Sequence, residues 1–416
     1  MIQKNKWAWA WVPSLYFAQG LPYALVVTVS VIMYKRLGFS NSDLGLYTSL
    51  LYLPWVIKPL WSPFVDLKST KRNWFLRMQL LASVALLAIG LTLPTNIFFV
   101  TSLACFWMVA FASATNDIAT DGYYMIGLTE DKQSFFVGMR SVFYKLASVT
   151  GQGLLVVLAG FLENKYGDNT KAWSFTMLCA GSLMLLMTLS NFFVTPKFES
   201  SKAISLEKPK GFLEVFVSFF KKPGMGIAIT FILFFRLGES QLVKMASPFL
   251  LDPTSVGGLG YSTSEVGTIY GTIGVVFLTI GGILGGILIS RQGLKKWMLP
   301  MLISLNAPNA LYALLALTGT TEIWAVVGTV IVEQFGYGFG IAGFMVYLIY
   351  VAEGNSKTSH YALATGFMAL GMMLPGLISG YVQEWLGYDG FFIWVVIAAL
   401  PAFVILRYIK YPADFG

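Results

Sequence analysis

Apolar runs long enough to cross a bilayer as a helix, about 20 residues each, follow one another along this chain from end to end. Backbone in lipid must satisfy its own hydrogen bonds, so such runs fold as helices rather than as open sheet or loop. Of the 416 residues 56% are hydrophobic and 12% charged, with a mean hydropathy of +0.69; a soluble domain carries about 25% charged residues. The longest polar stretch is the central one, near 195–223, which leaves no room for a separate nucleotide-binding or catalytic domain. The expected class is an all-α membrane protein.

An internal repeat narrows the architecture. Residues 38–45 read Gly-Phe-Ser-Asn-Ser-Asp-Leu-Gly and residues 260–267 read Gly-Tyr-Ser-Thr-Ser-Glu-Val-Gly, aromatic for aromatic and acid for acid. Each copy opens an apolar segment that ends in a short basic loop. The loops are Asp-Leu-Lys-Ser-Thr-Lys-Arg at 66–72 and Ser-Arg-Gln-Gly-Leu-Lys-Lys at 290–296. Two similar membrane halves are the build of a secondary carrier made of two bundles.

Twelve spans are expected, near 8–34, 42–64, 74–94, 97–126, 135–162, 172–194, 224–251, 263–289, 297–318, 322–352, 360–384 and 390–410. They group as six-helix bundles over 1–195 and 224–416, joined by a linker over 196–223 that holds six Lys, three Glu and three Pro. Part of that linker, around 211–220, has the composition of a surface helix. Spans one, four, seven and ten are read as long and interrupted. Pro13, Gly20 and Pro22 would break the first, and Pro248 would kink the seventh. Glycines crowd the eighth (Gly267, Gly271, Gly274, Gly281, Gly282, Gly285 and Gly286) and let helix backbones approach closely. Eighteen loop Lys and Arg on one side against four on the other place both termini in the cytoplasm. The same rule accounts for the net charge of +8 without nucleic acid. Lys4 and Lys6 precede an apolar run longer than a signal segment, with no small-residue cleavage pattern, so the first span is expected to stay.

Charges inside the spans are the informative residues, because an intramembrane charge costs at least about 2.5–3.5 kcal/mol and normally faces a cavity or a partner. The bases are Lys58, Arg77, Arg140, Lys145, Arg236 and Lys244, and the acids Asp117, Asp121, Glu239 and Glu333. Arg77 starts a helix beside the cytoplasm and can snorkel. At about 1.5 Å per residue, Arg236, Glu239 and Glu333 fall near the midplane and Lys145 slightly below it. Arg236 and Glu239 share a helix face and are able to neutralise each other. A central group of both signs suits an anionic or zwitterionic ligand. Glu333, with no cation on its own helix, is the foremost proton carrier; Glu239, Asp117 and Asp121 are the other candidates. Substrate contacts are expected from Lys145, Tyr144, Arg236, Gln241, Gln19, Tyr23, Asn309 and Gln334. A cytoplasmic gate is expected from Lys58, Asp66, Lys71, Arg72 and Arg140, near which Asp117 and Asp121 also fall. Mutual ion pairing is the plainer account of that lower group.

Cys105 and Cys179 lie within apolar segments and His360, the one histidine, at a segment edge, so neither a nucleophile–base pair nor a metal site is assembled. No Walker A pattern is present. The chain is expected not to be an enzyme and to use no cofactor or metal.

Asp66 followed by Lys71-Arg72 resembles the acidic–basic loop between helices two and three of the major facilitator superfamily. More narrowly, Lys58-Pro-Leu-Trp61-Ser-Pro63-Phe-Val-Asp66 and Asn116-Asp117-Ile-Ala-Thr-Asp121-Gly122-Tyr123 resemble two runs of the muropeptide permease family, the second shared with the related acetyl-CoA transporters. Gly138, Arg140, Tyr144, Lys145 and Leu146 fit the same pattern. The resemblance implies the major facilitator fold and proton-driven uptake of anhydro-muropeptides or GlcNAc-anhydro-MurNAc across the bacterial inner membrane, for cell-wall recycling. It marks Lys58, Asp66, Asp117, Asp121, Tyr144 and Lys145 as family positions; Arg236, Glu239 and Glu333 rest on depth alone. A carrier of another sugar, peptide, acyl-CoA-like or drug substrate is the alternative. The expected partners are a small-molecule substrate, protons and the bilayer, with no nucleic acid, and a monomer as the working unit.

Overall fold

The computed structural model describes residues 8–67, 69–197, 212–354 and 357–409, and among these every regular element is helical. Among the described residues ten helices are long and apolar enough to cross a membrane: Ala8–Arg36, Lys71–Thr92, Phe98–Gly127, Gly138–Tyr166, Asn169–Val194, Met225–Leu251, Thr263–Gln292, Leu294–Thr318, Ile323–Ala352 and Ser359–Leu406. This count departs from the expected twelve at two places. The stretch after the first repeat is divided into Asn41–Leu50, Leu53–Ile57, Lys58–Leu60 and Ser62–Leu67, where Pro54, Pro59 and Pro63 each remove a backbone donor. The last two expected spans run as one helical stretch across Gly387, whose φ of 68° is not helical.

The irregularities also fall elsewhere than expected. Ala8–Ala24 runs helically through Pro13 and Pro22, and the wide turn stands at Leu25–Val29, where the Ser30 amide returns to the Leu25 carbonyl. Phe98–Gly127 and Ile323–Ala352 are unbroken. In the seventh expected span the helix continues past Pro248, and the backbone leaves helical angles at Arg236 (φ −114°, ψ 17°), which starts Leu237–Leu251. Two more wide turns lie at Val149–Leu155 and Gly267–Gly274. Such turns free backbone groups, which neighbouring helices must satisfy in a bilayer.

Two compact units emerge, the first comprising 1–37, 60–206 and 263–271 and the second 38–59, 207–262 and 272–416. Trp11, Tyr16, Phe75 and Tyr123 centre the core of the first. Phe231, Phe235, Met298, Met301, Phe344 and Tyr347 centre that of the second. Each octapeptide copy therefore packs mostly with the opposite half of the sequence, 38–45 in the second unit and 263–267 in the first. Asn41 and Thr263 hold the same place in the repeat, and each delivers its side chain into a buried polar cluster. Thr263 donates to Glu163 (2.6 Å), which also accepts from Trp173 (2.9 Å) and pairs with Arg36 (3.1 Å). Asn41 donates to Gln383 (2.6 Å) and Tyr388 (3.0 Å), and Tyr388 donates to Asp252 (2.6 Å). Glycine lets the backbones meet beside both clusters. A methyl group on Gly271 would stand 1.9 Å from the Gln152 carbonyl oxygen, and one on Gly380 1.8 Å from that of Asn41. Gly271→Ala and Gly380→Ala are each expected to destabilise by about 1–3 kcal/mol through overpacking, read as a lower thermal midpoint in detergent. An unchanged midpoint would show that these helices re-space freely.

Within the expected linker a helix forms over Phe212–Phe220, and its Phe219 is buried in the core of the second unit. Phe219 stacks on Phe367, and Ser218 lies 3.0 Å from His360. Lys222 donates to the carbonyls of Val351 and Glu353, a cation where a helix C-terminus favours one. Outward-facing apolar side chains such as Phe193, Trp324 and Trp385 are three-quarters or more exposed, as lipid contact requires and water would penalise.

Candidate functional site

In the first unit a cavity of about 240 Å³ is lined by Tyr16, Gln19, Arg140, Ser141, Tyr144 and Lys145. Helix Ala8–Ala24 supplies two of these and helix Glu130–Ser148 the other four, at helical spacings that put them on one wall. Arg140 is held firmly in direction. It pairs with Asp121 at 3.1 Å, and its guanidinium lies 4.5 Å from the Tyr16 ring centre and 5.1 Å from that of Tyr124. The Tyr16 hydroxyl donates to the same Asp121 oxygen at 2.9 Å. Lys145 differs: it is half-buried, and among the described residues no carboxylate lies within 4 Å of its ammonium. The buried Gln19 carbonyl oxygen has no hydrogen-bond partner there, and Tyr23 and Tyr144 face each other with ring centres 6.3 Å apart.

Two cations against one acid leave this cavity positive. With phenol rings and an amide on its wall, it suits a carboxylate attached to a sugar or amide body. Full drug-sized sites measure roughly 300–1,000 Å³, so a cavity of this size holds one moiety of a larger ligand. Gln19, Tyr144 and Lys145 are brought together as substrate candidates, and Arg140 joins them on the wall rather than standing with Lys58. Tyr16 and Ser141 were invisible to a search for charge, although Tyr16 stands one helical turn before Gln19.

The second unit carries its own polar cluster. Arg236 and Glu239 form a bond of 2.8 Å with side chains only 6% and 1% exposed. Arg236 also donates to the Tyr337 hydroxyl at 2.6 Å and lies 4.9 Å from that ring centre. Glu333 is fully buried, accepts from Gln334 at 3.0 and 3.2 Å, and lies close enough to Glu239 to feel its charge. Gln241 is bonded to Trp394 (3.0 Å) and the Leu237 carbonyl (3.0 Å). Both amide atoms of buried Asn309 are unpartnered among the described residues. Lys244, assigned to neither group by depth, is buried with its ammonium on Thr48 (2.9 Å) and over the Tyr52 ring (5.1 Å).

Arg72 is buried and donates to the Phe192 and Thr195 carbonyls, capping helix Asn169–Val194. The alkyl chain of Lys71 runs over Gly122, whose added methyl would meet its Cε at 2.9 Å. Lys58 lies half-buried in the 3-10 turn Lys58–Leu60, and Asp117 half-buried on helix Phe98–Gly127. The side chain of Asp66 lies outside the described residues. Glu163 was missed because the fifth span was ended one residue before it, whereas the helix runs to Tyr166.

Residues 14–359 match the family model of the Major Facilitator Superfamily. The chain is 26% identical over 405 residues to the anhydromuropeptide permease of Escherichia coli (strain K12), covering 94% of this chain and 77% of that one. It is 24% identical over 416 residues to the putative transporter AmpG 4 of Rickettsia conorii, covering 95% of each. Among solved structures, a mutant form of the nucleoside transporter NupG superposes with a TM-score of 0.74 at 16% identity, over 96% of this chain and 99% of that one. A D-xylose-proton symporter superposes with a TM-score of 0.69 at 14% identity, over 97% of each. Identities this low bear on the fold alone.

Proposed function

Because the chain belongs to the major facilitator superfamily, we propose that it is a proton-coupled symporter that takes up anhydro-muropeptides or GlcNAc-anhydro-MurNAc across the bacterial inner membrane by alternating access. The observation that carries this reading is the likeness to an anhydromuropeptide permease over nearly the whole chain. The chemistry of the first-unit cavity supports it, since a muropeptide offers carboxylates, amides and a sugar ring to cations, amide groups and phenols.

In this reading Lys145, Tyr144, Gln19 and Tyr23, with Arg236, Gln241, Asn309 and Gln334, hold the substrate. Glu333, Glu239, Asp117 and Asp121 are the acids available to carry the proton. Lys58, Asp66, Lys71, Arg72 and Arg140 belong to the gate, Arg140 also reaching the cavity. Twelve helices in two bundles of six, with both termini cytoplasmic, complete the topology, and one chain is the working unit.

The test is uptake of labelled GlcNAc-anhydro-MurNAc into proteoliposomes under an inward proton gradient. Accumulation that collapses with a protonophore is the expected result. Absence of uptake by folded, inserted protein would remove this substrate class and leave a carrier of another sugar, peptide, acyl-CoA-like or drug substrate.

A further inference from the structure

Lys244 lies on helix Leu237–Leu251 and is only 2% exposed. Its ammonium donates to the Thr48 hydroxyl at 2.9 Å and stands 5.1 Å from the Tyr52 ring centre. Among the described residues no carboxylate lies within 4 Å of it. Resting on the symport reading above, we propose that Lys244 is a second carboxylate site, within the second unit. It receives an acidic group of the peptide carried by a muropeptide and so favours the peptide-bearing ligand over GlcNAc-anhydro-MurNAc.

Three observations carry this. Burying an ammonium without an opposite charge is costly, and inside a span such a residue normally faces a ligand or a partner. Two other deeply buried cations have theirs. Arg236 holds Glu239 at 2.8 Å, and Arg72 caps the Phe192 and Thr195 carbonyls. Lys244 has one neutral hydroxyl and one ring, and neither is a counter-charge.

Secondly, the surroundings offer donors. An ammonium has three, and Thr48 takes one. The Thr48 hydroxyl spends its own proton on the Leu44 carbonyl (2.6 Å) and therefore meets Lys244 as an acceptor. Ser49 is fully buried, and its hydroxyl has no hydrogen-bond partner among the described residues. A methyl group on Gly376 would stand 2.4 Å from the Ser49 Oγ and 3.5 Å from Cγ of Lys244, so that hydroxyl lies beside the lysine chain. Two spare ammonium donors and a hydroxyl suit a carboxylate, whose two oxygens accept several bonds.

Thirdly, the bare disaccharide has too few acids. GlcNAc-anhydro-MurNAc has one carboxylate, and Lys145 in the first unit is a cation without an acid of its own among the described residues. The peptide-bearing form has more than one. Thr48 and Tyr52 hold the ammonium until a ligand arrives, and the carboxylate replaces them in the state of the cycle that admits it.

The experiment uses the full chain in proteoliposomes under an inward proton gradient. Labelled GlcNAc-anhydro-MurNAc is compared with the same disaccharide bearing an acidic tripeptide, for parent, Lys244→Gln and Lys244→Arg. The readout is the ratio of kcat/KM for the peptide-bearing form to that for the bare one. Lys244→Gln keeps a donor for Thr48 without the charge, and should lower this ratio roughly 10- to 150-fold, the worth of one charge-assisted hydrogen bond. Lys244→Arg should hold it within about threefold of the parent. A purely structural role would slow both substrates alike and leave the ratio where it was. In the parent, amidating the peptide carboxylates should weaken competition by the same factor as Lys244→Gln, which tests the site without any substitution.

An unchanged ratio in Lys244→Gln would overturn the proposal and leave the symport reading standing. So would an amidated peptide that competes as well as the acidic one, or a parent that carries the disaccharide and refuses the peptide-bearing form. A parent that carries neither substrate removes both readings together.

Discussion

Arg236→Met should lose about 3–5 kcal/mol of folding stability, the cost of leaving one member of a buried ion pair uncompensated. Glu239 is fully buried, and its carboxylate accepts both bonds from Arg236; without them it faces lipid-like surroundings with Glu333 nearby. The Tyr337 hydroxyl loses the bond that Arg236 donates in the same step. Arg236→Met combined with Glu239→Met should recover most of the loss, because paired apolar replacements of a buried ion pair are often neutral or better. Thermal unfolding in detergent and the monodisperse fraction on size exclusion read both outcomes. A double variant as unstable as the single would show that the two residues act separately. Transport separates a second question: a stable double variant that still carries would show that neither Arg236 nor Glu239 is needed for substrate or proton.

Periodicity and charge made some of this legible and hid the rest for identifiable reasons. Apolar run length locates ten membrane-length helices, because burial in lipid acts on every residue of a span. It misplaces the breaks, because a proline deletes one donor that neighbouring helices can re-satisfy. Pro248 therefore sits in an unbroken helix while Arg236, with no sequence mark of a break, starts a new one. Charge inside spans found Arg140, Lys145, Arg236, Glu239 and Glu333. It did not find Tyr16 or Tyr337, which are neutral and resemble the many aromatics of an interfacial belt. Depth along separate helices put Arg140 with Lys58, because a linear measure cannot show that a long side chain reaches along its helix to the wall that Lys145 lines. The repeat announced two related halves. It gave no sign that Asn41 and Thr263 are the residues each copy delivers to a buried acid-containing cluster.

Lys145→Met should cut uptake roughly 10- to 150-fold while leaving the fold intact, which is the opposite pattern from Arg236→Met. A charge-assisted hydrogen bond to a ligand is worth about 1.5–3 kcal/mol, and each 1.4 kcal/mol is about tenfold. The protein itself gives Lys145 no carboxylate among the described residues, so removing the ammonium breaks no ion pair and removes a charge that burial penalises. The thermal midpoint should therefore hold or rise. Arg140, by contrast, is tied to Asp121 and two rings, and its loss would blur binding with local repacking. Lys145 is the cleaner probe of whether this cavity meets the substrate. Uptake within about twofold of the parent would mean that the cavity holds no substrate carboxylate. A lowered midpoint together with lost uptake would mean that the ammonium is a structural element of the first unit.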